Sequence, residues 1–372
     1  MTNVKLLFIE DEPESIQPVI KSLKKRSSNY NCTFESFAGA RKAIEVFAPD
    51  IVVLDILVEG ASPGSSTPGE SMYDWLWASR FCPIIVYSAQ PEIISETHKG
   101  HPFVKFVKKG KKSVAEIMSV LAELQPQVEA VYESEKQIRQ AFALALREVA
   151  PYAFEIYKKN SESTERNNLI IRAGRRRLAA LMDDLSRHGQ VLASWEQYIC
   201  PPVSEDILLG DILLEKDKSP ADPFSFCIVL TPSCDLVASG GRSPKVTDVL
   251  VARCCPTKNG IELTSLGTIG ETKLKGRLPS LLTHGYFEMI IPLPALAGRI
   301  PPMTANLKNL RLIPLNHIAG KGSRFVRVAS VDSPFRELVA WAYMQVAARP
   351  GLPDRDCNSW CNEIIETYKT KK

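Results

Sequence analysis

Two apolar runs, each closed by a carboxylate, constrain this chain more than any other feature. Lys5-Leu6-Leu7-Phe8-Ile9 is followed by Glu10-Asp11-Glu12, and Ile51-Val52-Val53-Leu54 is followed by Asp55. Continuous apolar runs of this length suit strands buried on both faces, as in a parallel sheet. Open α/β sheets bind ligands at the carboxyl edge of their strands. Carboxylates converging there repel one another unless a cation joins them, so the pattern implies a bound divalent cation.

Two further runs end in polar residues: Pro83-Ile84-Ile85-Val86-Tyr87 in Ser88-Ala89, and Phe103-Val104-Lys105-Phe106-Val107 in Lys108-Lys109-Gly110. Between the runs, apolar residues recur at helical spacing, as at Ile16, Val19, Ile20 and Leu23 after Pro13, across 40–47 and across 114–124. Strand and helix alternate about five times, which predicts a doubly wound parallel sheet.

The motifs Phe8-Ile9-Glu10-Asp11-Glu12-Pro13, Val52-Val53-Leu54-Asp55-Ile56-Leu57, Ile85-Val86-Tyr87-Ser88-Ala89 and Phe106-Val107-Lys108-Lys109 occur in this order. Together they make residues 1 to about 124 resemble the receiver domain of two-component response regulators. The resemblance implies a flavodoxin-like fold with a five-stranded parallel sheet and Asp55 as phosphoryl acceptor. It implies that Glu10, Asp11, Asp55 and the backbone carbonyl of Leu57 hold Mg²⁺. Ser88 and Lys109 are implied to contact the phosphoryl oxygens, and Phe106 to be the aromatic switch. The implied donor is a histidine kinase or phosphotransfer protein. The chemistry is coherent: a carboxylate is a weak nucleophile, so a metal ion and a lysine must offset the incoming charge.

The chain departs from the family pattern at three places. Glu10 stands where Asp is commoner, Gly110 stands where Pro usually follows the lysine, and the stretch 58–70 is long and rich in Gly, Ser and Pro. The alternative reading is a degenerate receiver that no longer accepts phosphate.

A chain of 372 residues is long enough for two or three domains at roughly 100–200 residues each. The expected division is a receiver at 1–124, a helical linker or dimerisation segment at 125–190, and a β-rich output domain at 191–372. No apolar run approaches the ~20 residues of a membrane span, and the N-terminus enters a strand without a signal-peptide pattern. A cytoplasmic protein is expected, with the nine cysteines reduced. The net charge of +4 is too small to argue for nucleic acid by itself.

The middle segment reads as helical, with Pro126 and Pro151 marking kinks or boundaries and a second helix from Leu169 to Leu185. A long helix here is a candidate homodimer element; packing on the receiver is the equal alternative. Arg172, Arg175, Arg176 and Arg177 form a basic cluster suited to phosphates, and a solvated basic face is the simpler account. No spacing marks a helix-turn-helix.

From about Trp195, short apolar runs alternate with proline-rich turns. They fall at 207–214, 226–231, 249–253, 289–293, 310–313 and 325–329, the pattern of a small β-barrel or curled sheet. C-terminal helices are predicted from Ser333-Pro334 to about Val346 and over 359–368. Gly210-Asp211-Ile212, Ile228-Val229-Leu230-Thr231 and Val249-Leu250-Val251-Ala252 are weakly similar to the SH3-like barrel of the PemK/MazF toxins, which cleave RNA. Pro223-Phe224-Ser225-Phe226 stands where that family carries an arginine. Cys234-Asp235, at a strand exit, is a candidate reactive or metal-binding corner, with His284 as base or further ligand and Cys227, Cys254 and Cys255 as neighbours. The simpler reading has Thr231, Ser233 and Asp235 making turn hydrogen bonds and the cysteines filling the core. The output therefore binds a protein or ligand, or alternatively binds or cleaves nucleic acid.

Overall fold

The structure, a computed structural model, describes residues 4–26, 29–56, 68–79, 81–89, 100–157, 163–183, 191–238, 242–320, 322–349 and 355–369. The chain divides into two compact units, residues 1–188 and 189–372.

In the first unit, β1 (Val4–Ile9), β2 (Tyr30–Glu35), β3 (Ile51–Leu54), β4 (Ile84–Ser88) and β5 (Val104–Lys108) form one parallel sheet in the order β2-β1-β3-β4-β5. This is the flavodoxin-like order, with its switch point between β1 and β3. Side chains alternate across the sheet, so each apolar run supplies two cores. Leu6, Phe8, Val53 and Ile85 face α1 (Pro13–Arg26) and the first turns of α4 (Ser113–Tyr157). Leu7, Ile9, Val52, Leu54 and Val86 face α2 (Phe37–Phe47) and α3 (Pro68–Ser79). The connections 57–67 and 90–99 lie outside the described residues, and with them Leu57 and most of the 58–70 stretch.

α4 corrects one expectation. It runs unbroken for 45 residues through both Pro126 and Pro151. Both prolines face solvent, where water can take the carbonyl that each deprives of a donor. The first part of α4 buries Ile117, Leu121 and Leu124 on the sheet. Its last part packs against α5 (Ser163–Met182), with Gly174 set against Leu146 and Phe142.

In the second unit, seven strands make an antiparallel sheet: β6 (Tyr198–Ile199), β7 (Asp211–Glu215), β8 (Phe226–Val229), β9 (Asp248–Pro256), β10 (Ile290–Leu293), β11 (Met303–Pro314) and β12 (Phe325–Val331). Their order is β10-β11-β9-β8-β7-β12-β6. Register shifts in β11 between Asn306 and Leu310, and in β12 between Arg327 and Ala329, bend the sheet. The two edges approach each other: the Tyr198 hydroxyl of β6 donates to the Pro294 carbonyl just past β10, at 3.0 Å. Tyr198, Ile291 and Leu293 share one core with Phe226, Ile228 and Met303. The sheet is thus curled and barrel-like, and side chains rather than a backbone ladder bring its edges together.

Four elements had no counterpart among the expected ones: β6, α6 (Ser233–Leu236), α7 (Thr257–Glu262) and α8 (Glu271–His284). α8 ends at Gly285, whose φ of 73° and close contact with Leu338 leave no room for a side chain. α9 (Phe335–Ala347) closes the inner core with Val339 and Ala342. α10 (Cys357–Lys369) follows, and both Cys357 and Cys361 are exposed on it rather than packed in a core. No helix among the described residues is long and apolar enough to cross a membrane.

Candidate functional site

The carboxyl edge of the parallel sheet carries the site, and the backbone ladder fixes where its residues stand. Glu10 N–H donates to Glu35 O, Asp55 N–H to Ile9 O, and Lys109 N–H to Ser88 O, at 2.9–3.1 Å. Each residue therefore sits one step past a strand whose register is already set.

Glu10 and Asp55 are buried, at 3% and 4% exposure, and the Lys109 ammonium joins them. Its Nζ lies 2.5 Å from Glu10 Oε2 and 2.7 Å from Asp55 Oδ2. The second Asp55 oxygen accepts the Ile56 N–H at 2.8 Å. Glu10 also accepts the Ser15 hydroxyl at 3.0 Å and the Glu12 N–H at 3.3 Å. Burial pushes the Glu10 carboxyl above its ordinary value; the hydrogen bond from Lys109 opposes this, and the negative charge of Asp55 adds to it. Burial would lower Lys109, yet its hydrogen bonds to Asp55 and Glu10 outweigh that and hold its pKa up.

Ser88 is fully buried, and its hydroxyl has no hydrogen-bond partner among the described residues. An orphaned buried hydroxyl costs about 1–3 kcal/mol, so its place beside the charged edge points to an acceptor that arrives with a ligand. Phe106, opposite Val86 in β5, is half-buried and packs on the α2–α3 face. Lys109 also lies over the Tyr87 ring at 5.6 Å, and the Tyr87 hydroxyl pairs with Ser113 Oγ. Gly110 has an ordinary φ and offers its carbonyl to the Ser113 hydroxyl, so serine makes the turn into α4.

One predicted ligand lies apart. Asp11 is exposed, and its carboxylate accepts the Phe37 N–H at 3.2 Å, at the start of α2. The positive end of that helix attracts it. Among the described residues no three His, Cys, Asp or Glu side chains form a metal cluster. The two buried carboxylates that Lys109 brings together, Glu10 and Asp55, offer only oxygen donors, which suits Mg²⁺.

Sequence reasoning missed Ser15 and Gly69. Ser15 carries the pattern of a polar residue in a helix's first turn. A Cβ on Gly69 would stand 2.4 Å from Ile56 Cα and 2.6 Å from Asp55 O, so the start of α3 lies on the backbone of Asp55 and Ile56.

The C-terminal candidates do not come together. Cys234 Sγ is 3.6 Å from Asp235 Oδ1, and Asp235 pairs with Lys245 at 2.9 Å, which holds its carboxyl below the usual range. His284 instead meets the Ser280 carbonyl through Nδ1 at 2.7 Å. Thr231 Oγ1 takes the Leu250 N–H of β9 and Ser233 Oγ the Leu209 N–H just before β7, so these hydroxyls tie the corner to other strands and do not make the expected turn bonds. Cys227 and Cys254 face opposite cores because strand side chains alternate, and Cys255 meets Thr304, so a shared zinc site is not built. Burial pushes the Cys227 thiol up to about 12. Of the arginines on α5, Arg177 pairs with Glu148 at 2.6 Å, while Arg172, Arg175 and Arg176 are exposed.

No family model and no curated protein matches the chain. Among solved structures it is similar to the N-terminal domain of the nisin resistance regulator NsrR, at 18% identity, 32% of this chain, 97% of that one and a TM-score of 0.27. It is similar to the BeF3-activated receiver domain of Klebsiella pneumoniae RstA, at 22% identity, 33% and 97% coverage and a TM-score of 0.25. A CheY-like receiver domain from Methylobacillus flagellatus matches at 15% identity, 33% and 99% coverage and a TM-score of 0.27. What these chains share in name, the response regulator receiver domain, is what the N-terminal part of this chain is similar to.

Proposed function

We propose that the first unit accepts a phosphoryl group on Asp55 from a phosphohistidine donor, a histidine kinase or phosphotransfer protein, and passes the change to the second unit. The observation that carries this reading is the Lys109 bridge between two buried carboxylates, with the unpartnered Ser88 hydroxyl on the neighbouring strand. Asp55 Oδ1 is committed to the Ile56 amide, which leaves Oδ2 as the nucleophile. The new bond joins Oδ2 to phosphorus as the bond from phosphorus to the donor nitrogen breaks. Lys109 exchanges Oδ2 for a phosphoryl oxygen, and Ser88 donates its hydroxyl to another. Glu10, Asp55 and the Leu57 carbonyl would hold Mg²⁺, with Asp11 if it exchanges the Phe37 amide for the ion. When bound, the ion supplies charge neutralisation at the transferring phosphoryl group. Movement of Ser88 and repacking of half-buried Phe106 are the two-state element that reads the new charge.

The second unit is the output, and it binds a ligand or protein. A pair of adjoining cavities in it favours the ligand. The hairpin of α4 and α5 exposes Ile138, Phe142 and Ile171, which supports a homodimer through these helices; light scattering should then show a dimer that Phe142→Asp dissociates.

The deciding experiment is phosphorylation of the full chain with a small-molecule phosphodonor and Mg²⁺. Acid-labile label is expected on the native protein and none on Asp55→Asn. Label that persists in the variant would remove Asp55 from its role.

A further inference from the structure

Two cavities of the second unit share a wall. The larger, about 490 Å³, is lined by Arg277, Ser280 and His284 of α8 together with Tyr286, Phe287 and Glu288. The smaller, about 260 Å³, is lined by Tyr286 and Glu288 again, with Lys308 of β11 and Arg349 just past α9. The combined space is of the size that holds a small organic ligand.

The charges are lopsided. Arg277, Lys308 and Arg349 are cations, and His284 stands with Arg277, whereas Glu288 is the one carboxylate in either wall among the described residues. Its oxygens accept the Ser265 N–H at 3.1 and 3.3 Å, so part of its charge is already met. Glu288 also holds a φ of 49°, a left-handed conformation costly for a side chain of this type, and such strain gathers at ligand sites.

Tyr286 and Glu288 make the shared wall, and Tyr286 is its aromatic face. Tyr286 meets Trp341 edge to face at 5.2 Å, and Trp341 is 49% exposed. His284, with Nδ1 donating to the Ser280 carbonyl, keeps Nε2 as its other polar atom. The basic side chains thus divide between the two cavities, with the Tyr286 ring and Glu288 between them. A planar ring flanked by an anion on either side is what one unit of a nucleic acid strand presents, and aromatic faces with basic flanks bind such strands without base specificity.

We infer that these joined cavities bind a nucleoside phosphate, either free or as a unit of a single strand, with Arg277 and Lys308 on its two phosphates and the base against Tyr286. The inference rests on reading the second unit as a ligand-binding module. Phosphorylation of Asp55 is scored separately, so its outcome does not depend on this one.

The test is fluorescence anisotropy of the full chain with labelled mixed-sequence 12-nucleotide RNA and DNA, with adenosine 3′,5′-bisphosphate and inorganic phosphate as competitors. Arg277 and Lys308 are exposed, so Arg277→Gln/Lys308→Gln should fold normally, as circular dichroism will check. A strand that binds, loses affinity with salt, and binds the double variant at least tenfold more weakly supports the inference. Binding of the bisphosphate without the strand also supports it and assigns a free nucleotide. No binding of either probe overturns it, as does equal binding by the double variant. Competition by inorganic phosphate as good as by the bisphosphate overturns it too, because the Tyr286 ring would then contribute nothing. Loss of strand binding in Arg172→Gln/Arg175→Gln/Arg176→Gln, with the Arg277/Lys308 variant unaffected, places the contact on α5 and overturns it as well.

Discussion

The edge of the parallel sheet and the cavities of the curled sheet handle charge in opposite ways. At the parallel edge, strand ends draw together Glu10, Asp55 and Lys109; both carboxylates are buried and the lysine is half-buried, so their charges must satisfy one another. In the second unit, Arg277, Lys308 and Arg349 come from a helix, a strand and a helix end, and stay exposed to solvent. A buried, mutually neutralised cluster is strongly coupled and switches when one charge is added. An open basic cleft is weakly coupled and suits reversible binding.

That comparison can be broken at several points. The largest effect should come from the core that supports the cleft. Phe226→Ala removes a side chain that is 1% exposed and should destabilise the second unit by about 4 kcal/mol. Urea unfolding is expected to show an early transition while Asp55 still takes up label; loss of both together would mean that the two units do not unfold separately.

Next is Lys109→Gln, which leaves two buried carboxylates facing each other. Breaking a buried pair costs about 3–5 kcal/mol, and with the lysine side chain 22% exposed about 2 kcal/mol is expected here. The sign with pH follows from Glu10. Its folded pKa is raised above 4.5, so the folded state keeps a proton that the unfolded state has lost, and stability falls as pH rises from 4.5 through the folded value. Removing the lysine enlarges that rise. The lysine's own contribution is present below its ordinary pKa of 10.5 and is lost as pH climbs through its raised folded value. The deficit of Lys109→Gln should therefore be larger at pH 7 than at pH 4.5, read from urea midpoints at both. A deficit independent of pH would argue that Glu10 does not feel Lys109.

The smallest effect sharpens the contrast. Arg177→Gln breaks an ion pair with Glu148 whose partners are 42% and 40% exposed. It should cost no more than about 0.5 kcal/mol, and a larger loss would show that the α4–α5 hairpin depends on it.

The central strands of the parallel sheet were readable because they are buried on both faces, so that runs such as Ile51–Leu54 are apolar throughout, whereas the edge strand β2 is half-buried, mixed in composition and not singled out by its sequence. The helix from Phe335 was readable from its proline-marked start. The unbroken α4 was not, because a proline signals a break unless its exposure is known. Nor could the cysteine corner be judged, since a sequence shows Cys227 and Cys254 as neighbouring-strand residues without saying which face each takes.

What the sequence determined by itself was local: the strand runs, the carboxylates that end them, and the resemblance carried by Asp55, Ser88 and Lys109. Only tertiary structure decided the long-range pairings. Lys109 turns to Glu10 as well as Asp55, Asp11 goes to α2, Gly69 lies on the backbone of Asp55 and Ile56, and Tyr198 reaches Pro294. Residue type and spacing set what a segment can form by itself. Which side chains meet across ninety residues depends on packing and burial, and these exist only once the chain has closed on itself.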